Sequence, residues 1–258
     1  MDINTTLLLA VLFAFLIAFI FSMFGQGGGS VYSPLLILLG YSILISTSTS
    51  LVLNLITSLS AGYIFYRKKM IDYKTSLIFA PGIIIGAFTG GALSKKFDTT
   101  VLLWLFVAVL LVLGARMIYS YWEKKKVEEK MPVLSPAKYV FIALFGLAVG
   151  FLSGLLGIGG GVFVVPFMVY VLKSPTKIAA GSSHLIISFS ALAGILGHLT
   201  SHPFDLHLIL VTGIAVLIGG NLGARVSMKI KVKMIKAGLG LIMWALAVQL
   251  VVKLLGYM

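Results

Sequence analysis

Two glycine clusters interrupt apolar stretches of the chain, Gly25-Gln26-Gly27-Gly28-Gly29 and Gly157-Ile158-Gly159-Gly160-Gly161. A proline follows each at the same distance, Pro34 and Pro166. Glycine admits backbone conformations closed to other residues and lets a ligand reach the main chain. Successive N–H groups, backed by the positive end of a following helix, form an anion site without any full charge. The same glycines also suit tight turns or close helix packing. Their occurrence at two matching places favours the site, because paired breaks in membrane segments mark a transporter's centre. The candidate binding groups are the main chain of Gly27, Gly28, Gly29, Gly159, Gly160 and Gly161, with Gln26 beside them.

A second set lies on the segments that follow. Ser50, Asn54 and Thr57 fall at i, i+4 and i+7, hence on one helical face. Ser183 and Ser190 repeat part of that face, with Ile187 where Asn54 would be and His184 adjoining. Polar groups inside a bilayer line substrate paths or glue helices together. Ser50, Asn54 and Ser183 join the candidate set, together with His184, the one ionisable side chain well inside an apolar segment. It is suited to relay a proton or to hold an anion when protonated, and equally to a neutral packing role.

Other polar residues read differently. Arg225, near a segment end, suits snorkelling to headgroups. Asp72 and Asp205 each precede a segment, as helix N-caps do. His198, His202 and His207 cluster near Asp205, but at no spacing typical of a zinc site. No metal or cofactor is expected. The chain has no cysteine, which removes thiolate sites and disulfides. Without an intramembrane acidic pair or a nucleophile–base pairing, it does not read as an enzyme. Nor is there an intramembrane carboxylate to carry a proton or sodium ion, which points to facilitated or potential-driven movement.

The elements that must position these groups are membrane helices. Hydrophobic residues make up 60% of the 258 and charged ones 10%, where soluble domains carry about 25% charged. The fold class is an all-α polytopic membrane protein. Ten apolar segments are expected near 6–24, 30–45, 47–66, 76–94, 100–121, 136–156, 162–173, 178–198, 207–227 and 235–255. The second and seventh are short, so eight full spans with two re-entrant segments is the other arrangement. Aligning the glycine clusters 132 residues apart also pairs the two prolines. One residue later in offset, Ser50 meets Ser183, Asp72 meets Asp205, and Gly86, Gly90 and Lys96 meet Gly219, Gly223 and Lys229. This order implies two homologous halves, 1–122 and 136–258, joined by the charged linker 123–135.

The formal charge of +13 then acts as a topological signal and not as a nucleic-acid patch; no nucleic-acid partner is expected. With the linker in the cytoplasm and both termini outside, all basic residues except Lys95, Lys96 and Lys253 fall inside, as the positive-inside rule requires. Arg67-Lys68-Lys69 in the first half corresponds to Thr200-Ser201-His202 in the second. Matching loops of unlike charge imply halves of five segments each with inverted topology, with helices broken at the glycine motifs. The setting is the plasma membrane, where the basic face meets anionic lipids. The glycine content would also permit close pairing of two copies as a homodimer.

The paired GxGGGxxxxP elements resemble those of the sulfite exporter TauE/SafE family. So do Thr47-Ser48-Thr49-Ser50, Ala180-Gly181-Ser182-Ser183 and Gly219-Gly220-Asn221-Leu222-Gly223-Ala224-Arg225. The resemblance covers essentially the whole chain. It implies a prokaryotic-type permease for small sulfur-containing anions such as sulfite or sulfonates, worked by alternating access. The other functions open are an anion channel and a transporter of small carboxylates. Two departures stand out. Gln26 and Ser30 face Ile158 and Val162 in the alignment, and Gly90-Gly91-Ala92 replaces Gly223-Ala224-Arg225.

Overall fold

A computed structural model describes residues 3–94, 136–199 and 204–256, with isolated helical residues between 104 and 119. The linker 123–135 and most of segment 100–121 lie outside the described residues. The helices are α1 (Ile3–Met23), α2 (Gly29–Leu38), α3 (Ile43–Arg67), α4 (Tyr73–Leu93), α5 (Pro136–Leu156), α6 (Gly161–Pro166, continuing as a π turn over Phe167–Val171), α7 (Thr176–Leu199), α8 (Leu206–Lys229) and α9 (Val232–Leu254). The described residues contain no strand.

Local chemistry sets the ends. The Ser42 hydroxyl accepts the Ile45 N–H (3.4 Å) and starts α3. Asp72 caps α4 by accepting the Thr75 N–H (3.1 Å), and Asp205 caps α8 through the Leu208 N–H (2.9 Å). Both aspartates thus satisfy orphan donors of a first turn. α3 closes with the Lys69 N–H on Tyr66 O and the Met70 N–H on Phe65 O. That double bond pattern places Lys69 at a left-handed φ of 56°, a position glycine usually fills.

Seven of these helices, α1, α3, α4, α5, α7, α8 and α9, are long and apolar enough to cross a membrane. α2 has 10 residues, which reach about 15 Å at 1.5 Å per residue, half of a hydrocarbon core of about 30 Å. The expected segment 30–45 therefore divides: α2 ends at Leu38, Gly40 turns with φ 92°, and residues from Ile43 belong to α3. The segment 162–173 is likewise the short Gly161–Val171 stretch. Neither crosses as a single helix.

Packing sorts the long helices into two classes. α3 and α7 form the centre, with 61% and 67% of their apolar windows buried, against 28% for α1. Leu8, Leu12 and Leu16 of α1, Ile84, Ile85 and Phe88 of α4, and Leu210, Ile214 and Leu217 of α8 are exposed, as lipid-facing side chains are. Partners are exchanged between the two ends of the sequence: α1 lies along α8, and α4 lies along α5. Glycine permits the second crossing. A Cβ at Gly82, Gly86 or Gly90 would strike the carbonyls of Ala143, Leu147 or Phe151, and one at Gly150 or Gly154 would strike Ile83 or Ala87. Small residues on both helices let the backbones touch.

Candidate functional site

The glycine clusters end α1 and α5 and begin α2 and α6. Their backbones match: φ is 78°, 78° and 113° at Gly25, Gly27 and Gly28, and 72°, 79° and 75° at Gly157, Gly159 and Gly160. All six lie in the left-handed region, which a side chain disfavours. Gly28 and Gly160 sit just before the first residues of the two short helices.

The two breaks meet. A Cβ on Gly29 would collide with Ile158 O, and one on Gly161 with Gln26 O. Helices α3 and α7 clamp this crossing from either side. Ser50 Oγ of α3 is 3.0 Å from both Gly29 O and Gly157 O. The Ser183 hydroxyl of α7 donates to Gly25 O and lies 2.8 Å from Ala180 O. These two serines therefore hold carbonyls of the breaks.

Asn54 stands between the breaks. Its Oδ1 accepts the Gly29 N–H (3.3 Å), and a Cβ on either Gly27 or Gly159 would fall on its amide. Asn54 and Gln26 are both 0% exposed. Among the described residues, Asn54 Nδ2, Gln26 Oε1 and Nε2, and the hydroxyls of Ser22, Ser30 and Ser58 find no hydrogen-bond partner. A buried polar group left in this way costs about 1–3 kcal/mol, so such a cluster demands explanation. Main-chain donors are also distributed unevenly. The Gly28 N–H is taken by Gln26 O (2.9 Å) and the Gly29 N–H by Asn54. Among the described residues, no acceptor takes the N–H of Gly27, Gly159, Gly160 or Gly161. A Cβ on Gly28 would meet the Tyr32 ring, and one on Gly160 the Val149 side chain.

His184 lies one residue beyond Ser183 and is fully buried, its Nε2 3.3 Å from Ser22 O and its ring 5.5 Å from Phe65. It also reaches the floor of a cleft of about 310 Å³ between α3 and α7, with Ser58, Ser188, Tyr63, Tyr66 and Tyr73. Ser58 joins cleft to centre, because a Cβ on Gly27 would fall 2.9 Å from its hydroxyl.

The remaining sequence candidates lie elsewhere. Arg225 is exposed and donates from Nε to Asn221 Oδ1 on its own helix (2.7 Å). His198 is buried against Gly154 O (2.8 Å), His207 is exposed, and His202 lies outside the described residues. The described residues hold no group of three metal-ligating side chains. Sequence reasoning did not single out Ser22, Ser58 or Ser188. Ser58, four residues after Asn54, carried a helical-spacing signal that was there to use. Ser188, four residues after His184, carried the same signal, whereas Ser22 gave none, since its contact with His184 spans 162 residues.

A bundle of membrane-length helices around two touching backbone breaks and a buried polar cluster is a membrane-transporter architecture. The comparisons agree. The family model described as sulfite exporter TauE/SafE matches residues 10–250. The chain is 29% identical over 250 residues to the probable membrane transporter protein YunE of Bacillus subtilis, covering 89% of this chain and 92% of that one. It is 30% identical over 221 residues to the probable membrane transporter protein YdhB of the same organism, covering 84% and 89%. A probable membrane transporter protein of Haemophilus influenzae is 28% identical over 269 residues, covering 96% and 99%. No solved structure matches. The chain belongs to the sulfite exporter TauE/SafE family of membrane transporters.

Proposed function

We propose that the protein is a permease for small sulfur-containing anions, sulfite, a sulfonate or similar, working by alternating access between two inverted halves. The observation that carries this reading is the buried cluster at the crossing of the two breaks. There Gln26 and the Nδ2 of Asn54 lack partners beside main-chain N–H groups with no acceptor. Such donors hold an anion by dipoles, and a site without a fixed cation releases its anion more readily than one with a buried arginine. In this reading Gly27, Gly159, Gly160 and Gly161 supply main-chain donors. Gln26 and Asn54 add amide contacts, while Ser50 and Ser183 hold the breaks in register. Gly28 and Gly29 serve geometry, since their N–H groups are already engaged. The name of the family model, a sulfite exporter, supports the substrate class.

The test is transport by the full chain in proteoliposomes, comparing sulfite, thiosulfate and methanesulfonate with matched carboxylates. Asn54→Leu and Gln26→Met should each lower sulfur-oxyanion flux about 10- to 100-fold, the equivalent of losing a hydrogen bond to a charged partner. Unchanged flux in both variants would overturn the assigned site. Flux of carboxylates alone would overturn the substrate class, and single-channel currents would favour a channel.

A further inference from the structure

His184 is a buried titratable side chain that the reading above leaves without a task, and its hydrogen bonding defines its state. The partner of Nε2 is a carbonyl, Ser22 O, at 3.3 Å. A carbonyl accepts and cannot donate, so Nε2 carries the hydrogen. In a neutral imidazole Nδ1 is then a bare lone pair, and it has no protein partner. His184 lines the α3–α7 cleft, with Tyr63 and Tyr66 from the Arg67 end of α3.

Among the described residues, the groups that line the cleft or contact the ring carry no charge that would compensate a proton. α1 contributes the Ser22 carbonyl, and α3 contributes Ser58, Phe65 and the phenols of Tyr63 and Tyr66. The start of α4 contributes the Tyr73 phenol. The Asp72 carboxylate is engaged by the Thr75 N–H and hydroxyl. Arg67 is exposed, with its guanidinium 6.0 Å from the Tyr63 ring centre. An imidazolium alone at a fully buried position is expensive, and so is an anion alone beside it. Each offsets the other when both are present. By linkage, an anion that favours the protonated ring must bind more tightly when the ring is protonated.

We propose that His184 takes up one proton together with the bound anion, so that the protein carries anion and proton as a pair. This rests on the anion-permease reading and adds the coupling ion to it. The proton comes from water in the cleft, forms an N–H on Nδ1, and returns to water when the anion leaves. No other bond is made or broken. For a monovalent anion the transported pair is electroneutral.

The test uses the purified full chain with methanesulfonate and thiosulfate, which stay ionised near neutral pH, so any proton moved belongs to the protein. Binding is titrated calorimetrically in two buffers of different ionisation enthalpy. The expected uptake is about one proton per anion, with affinity rising about tenfold per unit fall in pH while the free ring is neutral. His184→Gln keeps a donor for Ser22 O and removes the titratable nitrogen, so uptake should fall to near zero and the pH dependence should flatten. His184→Asn is the second variant, and the wild-type pH series decides if both melt early. Binding without proton uptake, or uptake unchanged in both variants, overturns the proposal while leaving the permease intact. Absence of binding and flux for every anion tried overturns the permease reading, and the coupling with it.

Discussion

Asn54 and Ile187 stand at matching places on the two central helices, as do Gln26 and Ile158 on the two breaks. The unpartnered amides therefore come from one half, and a seat built on them lies off the line between the halves. Replacing an unpaired buried polar group by an apolar one of similar shape is close to neutral or stabilising. Gln26→Met should therefore leave the melting temperature unchanged or raised while transport falls. Asn54→Leu, in contrast, also strips the buried Gly29 N–H of its acceptor and should cost about 1–3 kcal/mol of stability. A parallel loss of stability and transport in Gln26→Met would make that amide structural. Two lysines give an independent residue-scale prediction. Lys69 and Lys173 both have φ 56° and are exposed, and a left-handed residue with a side chain is strained by about 1–2 kcal/mol. Glycine removes that strain but gives back about 0.5–1 kcal/mol in unfolded-state entropy. Lys173→Gly should therefore gain about 0.5–1 kcal/mol, read as a modest rise in thermal midpoint. The first half already places Gly40, φ 92°, at the corresponding turn.

At the scale of the helix, α4 and α5 cross so closely that the glycines at 82, 86, 90, 146, 150 and 154 are contact surface on two helices. Gly86→Leu forces a side chain into the Leu147 carbonyl, and overpacking of this kind costs about 1–3 kcal/mol or more. The expected result is a lower thermal midpoint with substrate affinity preserved in the fraction that folds. Equal stability would mean that the pair separates without penalty. This element scale is where sequence and structure part in an informative way. The long helices were legible because apolar runs, Asp72 and Asp205 state their extents in local terms. The glycine breaks were legible because few residues other than glycine suit φ values near 75°. The division of 30–45 into α2, a turn and the start of α3 was not legible, because hydropathy runs straight through Gly40. Which N–H groups remain available was hidden too. Asn54 takes the Gly29 N–H from 25 residues away, and no spacing rule announces a contact made only when α3 folds against the break.

For the whole molecule, the exchange of partners is the strongest hint of a duplicated plan, since α1 with α8 and α4 with α5 are the same pairing seen from each half. Ser50 reaches Gly157 O in one direction and Ser183 reaches Gly25 O in the other. Each central helix therefore braces the glycine break from the other end of the sequence. That suits alternating access about a fixed centre. An inverted plan would place equivalent loops at opposite ends. Met70 follows the basic turn that ends α3, and His202 holds the matching place before α8. If the halves are inverted, these two positions face opposite sides of the membrane, with Met70 on the cytoplasmic side according to the lysine distribution. The natural absence of cysteine makes this directly measurable. Met70→Cys and His202→Cys, introduced singly, should react with a membrane-impermeant thiol reagent from opposite sides of the membrane. Labelling of both from one side would exclude inversion, leaving the contacts at the breaks intact but removing the symmetry argument for how the centre opens.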